Sequence, residues 1–105
     1  MILYPRYLPV AGFTIAPNLI FIRAEYRDSE QLLAHEQTHA TQMREDGLLT
    51  FWFRYLFLPK WRQAYEVQAY RTQIAHGGSL DGCASHLAGM YYLGLTFDQA
   101  KALLK

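Results

Sequence analysis

A chain of 105 residues that is 51% hydrophobic, 15% aromatic and only 18% charged has the size of one packed domain and is too apolar to be disordered. Ten Lys and Arg against nine Asp and Glu leave a formal charge of +1, so the totals carry no electrostatic footprint for nucleic acid or anionic lipid. The lone Cys83 has no partner for an internal disulfide, which suits a reducing, cytoplasmic setting, and no local base activates it for thiol chemistry.

The first segment, MILYPRYLPVAG, lacks a basic start followed by an unbroken apolar stretch and does not read as a secretory signal. Over residues 1 to 27 the turn formers Pro5, Pro9, Gly12, Pro17 and Asn18 separate FTI at 13–15 from LIFIRAEY at 19–26. In the second run Phe21, Arg23 and Glu25 fall on one face and Ile20, Ile22 and Ala24 on the other, a period close to two. A small antiparallel sheet is expected here, ending in that strand.

Asp28 or Ser29 then offers an N-cap, with Gln31 at the capping-box distance from Asp28, for a helix running to about Asp46 before Gly47. At about 100° per residue Leu32, His35, Glu36, His39 and Met43 share one sector, with Leu33 and Ala40 beside it and Gln31, Gln37, Thr38 and Thr41 opposite. The apolar window LLTFWFRYLFLP at 48–59 is interrupted by Arg54 and falls far short of the roughly 20 residues of a membrane span, so a short second helix is predicted and no transmembrane segment. Its aromatic residues at 51–57 are expected in the core. A dimer surface or a substrate wall are the alternatives, and the first of these leaves a homodimer open.

A third helix is predicted from Pro59 or Lys60 to Ala75, stopped by Gly77 and Gly78. Asp81 is then the expected cap of a helix through about Tyr92, and Thr96 with Gln99 the capping box of a last short helix. Without repeat or linker, strands followed by helices read as an α+β fold, one domain over residues 1–105 with a single core.

The chemistry concentrates in HEQTH, residues 35–39. Two histidines one helical turn apart can turn both imidazoles to one metal, while Glu36, about 100° round, can reach a water beside them. A shuffled chain with the same four histidines and five glutamates would show this pattern less than about once in a hundred, so chance is a poor explanation. Zinc catalysis needs a third protein ligand and an open fourth position. Position 42 is Gln and position 45 is Glu, which removes the subclass with a third histidine in line. The third helix carries one acid, Glu66, with Arg62, Ala69, Tyr70 and Gln73 on its face. That polar set is poor core material unless it faces a metal; the plain alternative is an exposed Arg62–Glu66 ion pair.

HEQTH at 35–39 followed by EVQA at 66–69 resembles the gluzincin metallopeptidases, whose H-E-x-x-H helix is completed by a glutamate in an E-x-x-A segment of the next long helix. The likeness covers residues 32–73, and small single-domain members, the minigluzincins, are nearest in size. It implies a zincin-like fold with Zn²⁺ on His35, His39 and Glu66, Glu36 as general base, and a peptide or protein as substrate. It also implies that the strand at 19–26, which precedes the active helix, is the substrate-aligning edge strand. Many relatives carry Asp where this chain has Tyr70, so the aspartate that commonly orients a ligand histidine is missing or supplied elsewhere. For the oxyanion, Tyr70 is the first candidate donor, because it shares the face of Glu66, ahead of His76 and His86. The competing expectation is a non-catalytic, zinc-stabilised interaction or regulatory protein on the same scaffold, with His86 or Cys83 as a fourth ligand.

Overall fold

The computed structural model describes all of residues 1–105. Its order is β1 (Ile2–Leu3), β2 (Gly12–Ala16), β3 (Leu19–Ile22), a 3₁₀ turn (Ala24–Tyr26), then α1 (Glu30–Asp46), α2 (Leu48–Phe57), α3 (Pro59–Ala75), α4 (Leu80–Met90) and α5 (Phe97–Leu104). The fold is α+β, a small sheet followed by helices. No helix is long and apolar enough to cross a membrane.

The sheet is mixed, where an antiparallel one was expected. Its order is β1-β3-β2, with β2 antiparallel to β3 and β1 parallel to it. The expectation missed β1 because two residues are too short for a period to register. What places them is the long connection through Pro5 and Pro9, which carries the chain across the sheet before β2 begins. β3 therefore lies in the centre and ends at Ile22, so it is not an edge strand. Ile20 and Ile22, which share one face of the period-two run, are buried against Ala40 of α1, while Ala24–Tyr26, expected to continue the strand, form the 3₁₀ turn.

β2 inverts the usual rule. Thr14 is buried while Phe13 and Ile15 on either side are exposed. A strand that turns its one polar side chain inward is facing something polar.

Between the two possible caps of α1 the chain uses Ser29, whose Oγ accepts from the Leu32 backbone N–H at 3.3 Å. Gly47 ends the helix at φ +87°, a conformation that costs glycine least, and α2 leaves at once in a new direction. Ser79, not Asp81, caps α4, accepting from Gly82 N–H at 3.0 Å, and that helix stops at Met90. Asp81 is free to pair with Lys101 at 2.9 Å instead. The Thr96–Gln99 capping box forms as expected.

The apolar interior is three clusters where one was expected. Tyr70, Cys83, Ala84, Leu87, Ala100 and Leu104 join α3, α4 and α5; Met43, Phe51 and Tyr65 join α1, α2 and α3; and Ile20, Ile22 and Ala40 join the sheet to α1. They are kept apart by a buried polar group on the facing sides of α1 and α3. That group is His35, Glu36, His39, Gln42 and Glu66.

Candidate metal centre

The packing of α1 on α3 brings together what lies 27 residues apart in sequence. His35 Nε2, His39 Nε2 and Glu66 Oε1 form a triangle with sides of 3.2 Å. Donors on a tetrahedral cation bonded at about 2.0–2.1 Å stand about 3.3–3.4 Å apart, so the triangle has nearly the size of one face of such a site. All three residues are buried, and the two histidines and this glutamate are the one group of metal-ligand side chains that converges in the fold.

The hydrogen-bond pattern says which atoms carry protons. Gln42 donates its amide to Tyr65 O at 3.1 Å and to Gln68 Oε1 at 2.8 Å, so its oxygen must be the atom turned to His39 Nδ1 at 2.9 Å. His39 Nδ1 therefore bears the proton and donates it to Gln42. In the neutral ring that leaves a lone pair on Nε2, aimed at a carboxylate oxygen and at another imidazole nitrogen. A cation among the three atoms, whether a proton or a metal, relieves such a convergence. On the other ring His35 Nδ1 is buried without a hydrogen-bond partner.

The electrostatics agree. Burial opposes a charge on His39, but the Glu66 carboxylate, aided by Glu36 and the Gln42 oxygen, outweighs it and raises the imidazole pKa to about 9. Burial likewise pushes the Glu66 carboxyl up, and the two histidines more than reverse this, leaving it well below the usual carboxylate range. The carboxylate is fixed further by Tyr55 of α2, whose hydroxyl donates to Glu66 Oε2. Burial, then the charge of Glu66, keeps that phenol protonated far above its ordinary range. With Oε2 so occupied, Oε1 is the oxygen presented to the histidines.

Glu36 stands outside the donor triangle. It is held from the sheet, where Thr14 Oγ1 lies 2.8 Å from Glu36 Oε1 and 3.1 Å from its backbone oxygen. A Cβ on Gly12 would stand 3.1 Å from Glu36 Cγ and Oε2, so the strand approaches the carboxylate as closely as it does because residue 12 has no side chain. This is the polar partner that the inverted pattern of β2 required.

Tyr70 packs its ring edge-on to His35, with centroids 4.4 Å apart, and its hydroxyl meets that of Tyr91 at 2.6 Å. Burial keeps both phenols protonated far above their ordinary range. Two hydroxyls that share one hydrogen bond retain one proton to offer elsewhere, and both residues line the same cleft. His86 is exposed at that cleft, its ring 6.5 Å from Tyr70. His76 is remote from it, its Nδ1 donating to Thr72 O at 2.9 Å at the end of α3. Arg62 makes no ion pair with Glu66. Its guanidinium donates to Tyr91 O at 2.9 Å and Tyr55 O at 2.8 Å, tying the segment after α4 to the end of α2.

The cleft has a volume of about 950 Å³ and runs past His35, Glu36 and Glu66 between β2 on one side and Trp52, Tyr55 and Leu56 of α2 on the other. Neither Cys83 nor His86 belongs to the donor cluster; Cys83 is buried in the α3–α5 core, which pushes its thiol pKa up.

The sequence did not single out Thr14, Gln42 or Tyr55. Gln42 lies three residues after His39 on the same helix face, a spacing that was there to be read. It orients His39 alone, because the Nδ1 of His35, the ring that Tyr70 packs against, has no partner. Gln42→Ala and Tyr55→Phe are each expected to weaken divalent-cation binding about 10- to 100-fold, the usual cost of removing a partner that orients a ligand. Titration against a chromophoric chelator measures this, and an unchanged affinity in both variants would mean that the ligands need no such support.

Comparison of the chain with protein-family models, with curated proteins and with solved structures returns no match.

Proposed function

We propose that this chain is a zinc-dependent peptidase of the gluzincin kind. The observation that carries the reading is the separation of roles around the cleft. Three donors converge in a triangle of tetrahedral size, and a fourth buried group, Glu36, is held apart from them by Thr14. His35, His39 and Glu66 would hold the ion, and two nitrogens with one carboxylate suit Zn²⁺. A zinc ion in such a site makes water acidic near neutral pH and polarises a carbonyl.

The chain's own residues supply the rest. Glu36 Oε2, the oxygen not engaged by Thr14, takes a proton from water and delivers it to the leaving amine. The Tyr70–Tyr91 pair offers its free hydroxyl proton to the developing oxyanion. β2, the edge strand at the cleft, takes the aligning role that the resemblance assigned to residues 19–26, pairing with an extended peptide by added-strand hydrogen bonds. Trp52 limits that edge, since its Nε1 donates to Ile15 O at 2.9 Å.

A purely structural metal site needs a fourth protein ligand. The cluster has three, which favours catalysis over the non-catalytic alternative. Metal analysis of the purified protein, run beside cleavage of a peptide library with and without a chelator, tests the proposal. One zinc per chain and chelator-sensitive cleavage are expected; zinc without cleavage of any peptide would leave the interaction protein.

Gly12→Ala provides a finer check. The added methyl presses first on Glu36, whose atoms are the three nearest to it, so turnover is expected to fall about 10- to 100-fold, the cost of a small misplacement of a reacting group. Metal content should stay at the wild-type level. A fall in both would mean that β2 supports the whole centre and not Glu36 alone.

A further inference from the structure

We propose that the outer face of α2 seats a second copy of this chain, paired antiparallel about a two-fold axis. The helix is apolar on both sides. Phe51 faces inward with Trp52 and Tyr55 beside it, whereas Leu49, Phe53, Leu56 and Phe57 recur at the spacing of the opposite stripe and are 86%, 58%, 59% and 67% exposed. Leu58 and Trp61 extend the patch to the start of α3. A helix that is apolar all round is stable when both sides are covered, and nothing in this chain covers the outer one.

The size of the patch fits a protein partner. At roughly 150–250 Å² for a fully exposed large side chain, these six residues offer on the order of 700 Å². That exceeds the largest patch of an ordinary monomer, about 300–600 Å², and approaches the roughly 800 Å² that each partner contributes to a standard interface.

Charge selects the occupant. From Gly47 to Tyr65 the chain has no acid, but two of the three bases there are already engaged. Arg54 pairs with Asp46 at 3.4 Å and lies 3.8 Å from the Trp61 ring centroid, and Arg62 is held by backbone carbonyls. Lys60 alone is free and exposed, at the C-terminal end of the patch. One free lysine contributes only about 1 kcal/mol toward an anionic bilayer, so the charge of this face does not select a membrane. Just before α2 begins, in the last turn of α1, the chain carries the exposed Glu45. An acid at one end and a base at the other suit a copy turned through 180°, which sets each Lys60 end toward the Glu45 end of the other and opposes the two helix dipoles.

In that arrangement Phe53, midway between Leu49 and Phe57, lies on the axis against its own counterpart, and Leu49 meets Phe57 of the second copy. Leu56 belongs both to this stripe and to the lining of the cleft, so the second copy stands at the cleft's rim and extends its α2 wall.

Sedimentation equilibrium at micromolar concentrations is expected to give twice the chain mass of 12.2 kDa for the wild type and the single mass for Phe53→Glu. Leu49→Glu provides an independent monomer should Phe53→Glu not fold, and near-UV circular dichroism checks the folding of each. Under mild oxidation Phe53→Cys is expected to cross-link to itself and Leu49→Cys is not, because only the first lies on the axis. A wild-type chain that stays monomeric, or a dimer that survives both glutamate substitutions, overturns the proposal. So does a monomer that co-sediments with phosphatidylglycerol vesicles, which would assign the face to a membrane.

Discussion

Replacing Glu36 by Gln is expected to reduce peptide hydrolysis by about 10²- to 10⁴-fold, the contribution typical of a placed general base, and to leave bound metal at the wild-type level. The two outcomes separate because Glu36 is absent from the donor triangle and is held by Thr14, which belongs to the sheet. Glutamine keeps the volume of the side chain and an oxygen for the Thr14 hydroxyl, so the 5% exposed site is not emptied and the fold should survive. Single-turnover cleavage alongside elemental analysis measures both quantities. Retained turnover would remove Glu36 from the chemistry, and lost metal would make it a ligand.

Glu66→Gln should have the opposite pattern, with metal affinity reduced by more than about 100-fold, beyond the effect of an orienting partner. The amide removes the charge that draws two imidazoles together and is a far weaker ligand than a carboxylate. Stability then follows by linkage. An ion that binds the native chain at 100 times its dissociation constant adds about 2.7 kcal/mol. For a domain of this size that is roughly 10–20 °C in Tm. Wild-type protein should lose this increment on chelation, and Glu66→Gln should have none to lose. Calorimetry with and without chelator decides the matter.

The pH dependence gives a second readout of the same centre. In chelated wild-type protein the raised His39 contributes stability in full below its ordinary pKa of 6.5, and this is lost as pH climbs through about 9. The lowered Glu66 contributes above its ordinary 4.5, and this is lost on acidification. The metal-free pair is thus most stabilising between 4.5 and 6.5 and weakens above that. Loaded protein should do the reverse over the same range, gaining stability as pH rises, because the metal displaces protons from its ligands. Parallel pH profiles with and without metal would mean that the ion does not occupy the histidines.

Much of this centre was legible in the chain because it is helical. A spacing of four places His35 and His39 on one side at any α-helix geometry, and Gly47, Pro59 and the Thr96–Gln99 pair mark helix ends by local backbone chemistry alone. The shared face of Ile20 and Ile22 followed from period two in the same way. Glu66 was reachable by elimination, being the single acid on its helix.

What the sequence by itself determined, then, is the five helices and the metal-facing side of α1, since both depend on steps of one to four residues. Three things were decided by tertiary structure alone. The parallel return of β1 put β3 in the middle of the sheet and gave the free edge to β2. The bend at Gly47 swung α2 so that Tyr55 reaches Glu66 from a segment read as core. The approach of Gly12 and Thr14 to Glu36 joined residues 22 and 24 positions apart. Each is a contact between elements whose relative placement depends on how several weakly directional apolar surfaces pack at once, and no local period records that.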